Sequence, residues 1–191
     1  MPLPFEESLI RVIFEIVNQS SFLRLITIFF GSVLPWIIII WFIISLFRVQ
    51  SFRLKFYYFA LATISIIISR VLIVGTIHKI FYFPRPFEVF DVSPIISHAF
   101  TSGLLSGYMA ILVPIALIFL SIHKKLGAIA VLLVFLVGIA RMAAGVYWFS
   151  AVLIGLLLGA LSFLLVKMIL LPTLSVDLSN TTGIDEKKDM L

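Results

Sequence analysis

Apolar residues in this chain collect into five runs, each near the ~20 residues that an α-helix needs to cross a hydrocarbon layer of ~30 Å. The clearest covers 25–47, with no charge between Arg24 and Arg48. A second covers 56–78 and carries one internal charge, Arg70; the others cover 100–121, 126–140 and 148–171. The Ile- and Val-rich stretches of the second and fourth runs have strand propensity. Their length nevertheless predicts helices, because lipid-exposed strands persist only in closed barrels of alternating pattern, and no such alternation is present. Ahead of the first run, 5–17 interleaves Leu9, Ile10, Ile13, Phe14 and Val17 with Glu6, Glu7, Arg11 and Glu15. That pattern predicts an amphipathic helix lying in the membrane interface; its acidic start, with no small-residue cleavage site after it, argues against a signal peptide. Behind the last run, 174–191 is polar and reads as a disordered tail. The expected architecture is all-α: a membrane helix bundle over 1–173, with five spans and an amino-terminal interfacial helix, followed by the tail.

Composition agrees, since 62% of residues are hydrophobic and 12% charged, too few polar groups to cover a water-soluble surface. The connection after the first run holds Arg48, Arg53 and Lys55, and the one after the third holds His123, Lys124 and Lys125, with no acid in either. Basic loops face the cytoplasm. The carboxyl terminus then lies inside, while the amino terminus and the segments 79–99 and 141–147 lie outside, in what reads as a bacterial plasma membrane. The net charge of +5 is thus largely topological and calls for no nucleic-acid partner. With no cysteine, disulfides and thiolate chemistry are excluded.

Three polar clusters fall on the outer side of this scheme. His78-Lys79 leads into Pro84-Arg85-Pro86, His98 precedes Thr101-Ser102-Gly103, and Arg141 leads through Gly145 to Tyr147. Two arginines beside a helix start bearing Ser and Gly suit an anion, because guanidinium forks match phosphate oxygens and first-turn N–H groups point at the ligand. The competing reading is that these cations snorkel to lipid headgroups. Glu88 and Asp91 read as a solvated loop rather than a metal site, and no cofactor is implied.

The order and spacing of the clusters resemble the signature of the type 2 phosphatidic acid phosphatases, membrane lipid phosphatases that share a site with vanadium haloperoxidases. In that family a Lys precedes Arg-Pro with six residues between, followed by Pro-Ser-Gly-His and then by Ser-Arg, five residues, His, three residues and Asp. Here Arg85-Pro86, Ser102-Gly103 and Arg141 with Gly145 match, within residues 56–160. The resemblance, which is greatest to the undecaprenyl-diphosphate phosphatase branch, implies a helix-bundle core with an outward-facing phosphate site. Carried over residue by residue, it implies phosphate contacts from Arg85, Ser102, Gly103, Arg141, Lys79, His78 and Tyr147.

The departures fall on the reactive groups. The family's first-motif Lys is His78 here, its general-acid His is Leu104, its nucleophilic His is Tyr147, and the Asp orienting that His is Ala151; Thr101 and Ala140 replace the Pro and Ser that open the second and third motifs. The family route forms a phosphohistidine and protonates the leaving oxygen with a second imidazole, so it needs nucleophile, acid and carboxylate in register. A phenol, ordinarily titrating near ~10, is a poor substitute. His98 is the remaining candidate for a catalytic imidazole. The expectation is a non-catalytic member that binds a membrane lipid carrying phosphate or diphosphate. A phosphatase with rearranged residues and a small transporter component are the alternatives.

Overall fold

A computed structural model of the chain describes the backbone of residues 4–96 and 102–188 and the side chains of 5–96 and 102–169. Among these residues it is all-helical, without strands. In chain order the elements are α1 (Pro4–Gln19), α2 (Ser21–Arg48), α3 (Phe52–Ile80), the single-turn α4 (Pro86–Val89), α5 (Gly107–Ile122), α6 (Lys124–Ala143) and α7 (Phe149–Lys188). Helices α2, α3 and α6 and the first half of α7, Phe149–Ile169, are long and apolar enough to span a membrane. Side chains such as Phe22, Trp36, Phe47, Leu132 and Leu157 stand exposed on them, a coat that water would not tolerate and lipid does. The backbone of α7 continues as helix to Lys188, through the segment read as a polar tail; its side chains beyond 169 lie outside the described residues.

The third apolar run departs from its expected bounds. It was expected to start near 100, but α5 begins at Gly107 and is 16 residues long, roughly 24 Å at 1.5 Å per residue. It is short because it is the centre of the bundle rather than part of its lipid surface. Met109, Leu112, Ile115 and Ile118 are buried along it, and it packs against α2, α3, α6 and α7. Non-helical backbone at membrane depth persists only where protein satisfies its polar groups. Here the Gly103 N–H donates to the Phe83 carbonyl at 2.7 Å and the Ser106 N–H to the Ala151 carbonyl at 3.0 Å. Ser102 and Gly103 therefore lie in the connection before α5, not in its first turn.

Small residues set how closely α7 approaches α5. A Cβ on Gly155 would stand 2.7 Å from the Ser106 carbonyl oxygen, and one on Gly159 2.9 Å from the Val113 Cβ. The Gly155-x-x-x-Gly159 pair is thus consumed inside the bundle, as small residues are at close membrane-helix contacts. At the other end of α5, Phe119 packs against Trp41 and Phe42 of α2, with ring centroids 4.5 and 5.7 Å apart.

The amino-terminal helix does more than lie in the interface. Ile10, Phe14 and Val17 form a buried stripe at the i, i+4, i+7 spacing of one helix face, and α1 packs on α2, α4 and α6. Glu6 is also buried, and its two carboxylate oxygens accept from the Ser150 N–H at 2.7 Å and the Ser150 hydroxyl at 3.2 Å. A carboxylate is thereby set on the positive end of α7. Substituting Glu6→Ala is expected to destabilise the folded protein by about 2 kcal/mol, the usual worth of a hydrogen bond to a charged group. A thermal melt in detergent reads this as a lowered midpoint; an unchanged midpoint removes the clamp.

Candidate anion-binding site

Where α3 ends, α5 begins and α6 turns into α7, a cavity of ≈ 200 Å³ is lined by Arg70, His78, Arg85, Gly107, Tyr108, Ile111 and Tyr147. Two guanidinium groups and an imidazole face one space, and no carboxylate lines it. Cationic groups gathered in a low-dielectric wall favour an anionic ligand.

Each wall has a local cause. Arg85 precedes Pro86, which holds it in extended backbone (φ −83°, ψ 161°), as residues before proline prefer. The side chain is fully buried. Its guanidinium donates to the Val146 carbonyl at 3.0 Å and the Ser102 carbonyl at 3.3 Å and lies 4.7 Å from the Tyr147 ring centre. One fork therefore ties all three sequence clusters together. Ser102 supports it from behind, its hydroxyl oxygen accepting from the Phe83 N–H at 3.2 Å and the Leu104 N–H at 3.4 Å. Gly103 is required by proximity, since a Cβ there would stand 2.8 Å from the Arg85 Cγ. Gly145 holds a positive φ of 74°, where a side chain is strained, and Phe14 of α1 closes over it. The next residues carry Tyr147 to the cavity and bury Trp148, whose indole N–H donates to the Pro84 carbonyl at 2.8 Å.

The residues expected to touch phosphate thus divide. Arg85, Tyr147 and His78 line the cavity. Ser102 and Gly103 shape the loop that holds Arg85. Arg141 is buried one ring behind the wall, with its guanidinium carbon 3.3 Å from the centre of the Tyr108 ring and its Nε without a hydrogen-bond partner among the described residues. Lys79 is exposed and not part of the lining. His98 and Thr101 lie outside the described residues. Trp148, next to Tyr147, is entirely enclosed.

Four lining residues, Arg70, Gly107, Tyr108 and Ile111, were not among those carried over from the resemblance. Arg70 carried a signal of its own, a charge inside an apolar run, which reads either as an interior group that helps hold a lipid phosphate or as a snorkelling one, with the interior role favoured. Tyr108 carried none, because nothing in motif spacing distinguishes it from other aromatic residues of an apolar helix. At the positions where the resemblance places the general acid and the orienting carboxylate, the packing is apolar. Leu104 packs with Val74, Ile77 and Leu105, and Ala151 is buried with its carbonyl bound to Ser106. In the nearby loop, the Tyr82 hydroxyl donates to Glu88, which pushes the phenol's pKa up by holding its proton. Among the described residues no three His, Asp or Glu side chains group as a metal site.

A helix bundle coated in lipid-compatible side chains defines an integral membrane protein. The chain belongs to the PAP2 superfamily, whose family model matches residues 56–172. It is 32% identical over 108 residues to the bacitracin transport permease protein BcrC of Bacillus licheniformis, covering 55% of this chain and 52% of that protein. It therefore spans about half the length of that curated relative. A crystal structure of a transmembrane PAP2-type phosphatidylglycerolphosphate phosphatase from Bacillus subtilis aligns over 88% of this chain and 78% of that one, at 23% identity and a TM-score of 0.48.

Proposed function

We propose that the protein holds the phosphate or diphosphate of a membrane lipid, of polyprenyl or glycerolipid type, at the outer face of a bacterial plasma membrane and does not hydrolyse it. The observation that carries this reading is the cavity in which Arg70 and Arg85 meet with no carboxylate in the lining, inside the segment matched by a superfamily that includes lipid phosphatases. Arg85 and Tyr147 supply donors for phosphate oxygens. The chemistry of hydrolysis has no matching groups, because Tyr147, Leu104 and Ala151 stand where nucleophile, acid and orienting carboxylate belong. Losing members of such a unit removes on the order of 10⁴-fold or more in rate. The basic loops at 48–55 and 123–125 support this orientation, with the cavity at the end of the bundle away from them.

The name of the Bacillus licheniformis relative suggests transport. A path for a polar solute needs polar groups through the bilayer, but the cavity deeper between α5, α6 and α7 is lined by Val113, Ala116, Leu117, Val134, Phe135 and other apolar residues. That lining favours the holding role. The test is equilibrium binding to protein in phosphatidylcholine nanodiscs, with phosphatidate compared against diacylglycerol of the same chains. Phosphate-dependent binding is expected; equal binding of the two lipids overturns the reading.

A further inference from the structure

We propose that Arg70 is the second cationic arm of the anion site, supplying from within α3 the charge that the superfamily pattern places at position 78. The inference rests on the lipid-phosphate reading above.

Arg70 lies in Ile67–Val74, a wide-turn π-helical stretch inside α3. Such stretches gather at functional sites. Next to it, the Ser69 hydroxyl oxygen sits 2.7 Å from the Ala110 carbonyl and 2.8 Å from the Ser65 carbonyl, sharing its one proton between them. That contact pins the stretch to α5 and fixes the direction in which Arg70 leaves the helix. The side chain then runs along the start of α5. A Cβ at Gly107 would stand 2.6 Å from the Arg70 Nε, 3.0 Å from its Cζ and 3.1 Å from its Cδ. Only hydrogen at 107 leaves room for the guanidinium there, so the glycine and the arginine form one arrangement.

A snorkelling arginine would turn its head to the lipid surface. This one turns to the cavity it shares with Arg85 and Tyr147, and it has no carboxylate or hydrogen-bond partner among the described residues. His78 cannot take its place while neutral. Its Nε2 lies 3.0 Å from the Leu105 carbonyl, which only accepts, so Nε2 carries the proton and Nδ1 is left an acceptor that repels phosphate oxygens. The other fixed positive charge lining the cavity with Arg85 is therefore Arg70. The cavity has room for roughly half a dozen waters at ~30 Å³ each, and two guanidinium groups in its lining suit a group with at least two charged oxygens, a phosphate monoester or a diphosphate. Its source is a lipid headgroup or a free anion.

Binding of phosphatidate to nanodisc-embedded protein, with and without inorganic diphosphate as competitor, tests the assignment. Arg70→Gln is expected to weaken phosphatidate binding about 10-fold or more, the effect of one charge-assisted contact, and Arg70→Lys to restore much of it. Gly107→Ala keeps the arginine but moves its head, so it should weaken binding in the same direction with the helix content unchanged. Competition by diphosphate with little phosphatidate affinity assigns the site to a free anion; phosphatidate binding that diphosphate barely displaces assigns it to a lipid headgroup. Wild-type affinity in both Arg70→Gln and Gly107→Ala overturns the role of Arg70, even where Arg85→Gln weakens binding. Wild-type protein that binds phosphatidate no better than diacylglycerol overturns the lipid-phosphate reading itself.

Discussion

Arg85→Gln should weaken lipid-phosphate binding by about 10- to 100-fold and at the same time weaken the fold. The binding loss follows from the position of its guanidinium in the cavity wall, where a charge-assisted contact contributes roughly 1.5–3 kcal/mol and each 1.4 kcal/mol is a factor of ten. The loss of stability follows from its other contacts. The same fork satisfies the Val146 and Ser102 carbonyls, and each buried acceptor left unpaired costs about 1–3 kcal/mol. Arg85→Lys separates the two effects, because it keeps a charge near the cavity but cannot span both carbonyls with a planar fork. Its affinity should fall between those of wild type and Arg85→Gln, while its melting temperature falls nearly as far as that of Arg85→Gln. Binding isotherms and thermal melts on the same preparations read both; unimpaired affinity in Arg85→Gln removes the residue from the site.

Gly155→Val should be the most damaging small change in the membrane core. The added Cβ alone would sit 2.7 Å from the Ser106 carbonyl oxygen and 3.0 Å from the Met109 Cβ. One of these obstacles is backbone and cannot rotate away. Helix α7 must then back off from α5, and overpacking of this kind typically costs about 1–3 kcal/mol even in cores that can adjust. The displacement also reaches the site, since Ser106 stands directly before Gly107 and its N–H is held by Ala151 on α7. The expected outcome is a melting temperature lowered by many degrees together with weakened phosphatidate binding. A variant as stable as wild type contradicts the close α5–α7 contact.

Much of the fold was legible because bilayer physics leaves few choices. Long apolar runs of membrane-crossing length have to be helices, and so α2, α3, α6 and α7 could be placed from hydropathy. What could not be read was α5. Its apolar run reads as a span like the others, yet it is shorter because it is wrapped by protein, and burial inside a bundle has no signature separate from burial in lipid. The role of α1 was half legible. Its amphipathic period was plain, but Glu6 gave no sign that it would clamp Ser150, 144 residues away in sequence.

The site was legible where spacing encodes backbone, and less so where it encodes reach. Arg85 and Tyr147 fall where motif order leads, since Pro86 and Gly145 fix the turns that aim them. Arg141 sits behind Tyr108 because an aromatic ring from α5 occupies the space between it and the cavity, something only tertiary packing decides. Arg70 reaches the cavity because Gly107 leaves room for it. Spacing cannot show such a complementarity between two helices.

The central claim is that this member of the PAP2 superfamily keeps a grip on lipid phosphate without the groups to cut it. Phosphate release from undecaprenyl diphosphate by the wild-type protein in proteoliposomes, run beside Arg141→Ala, tests that claim most directly. The account predicts no release above protein-free vesicles under conditions in which the lipid binds. Steady release that disappears in Arg141→Ala would contradict it and make the protein a phosphatase.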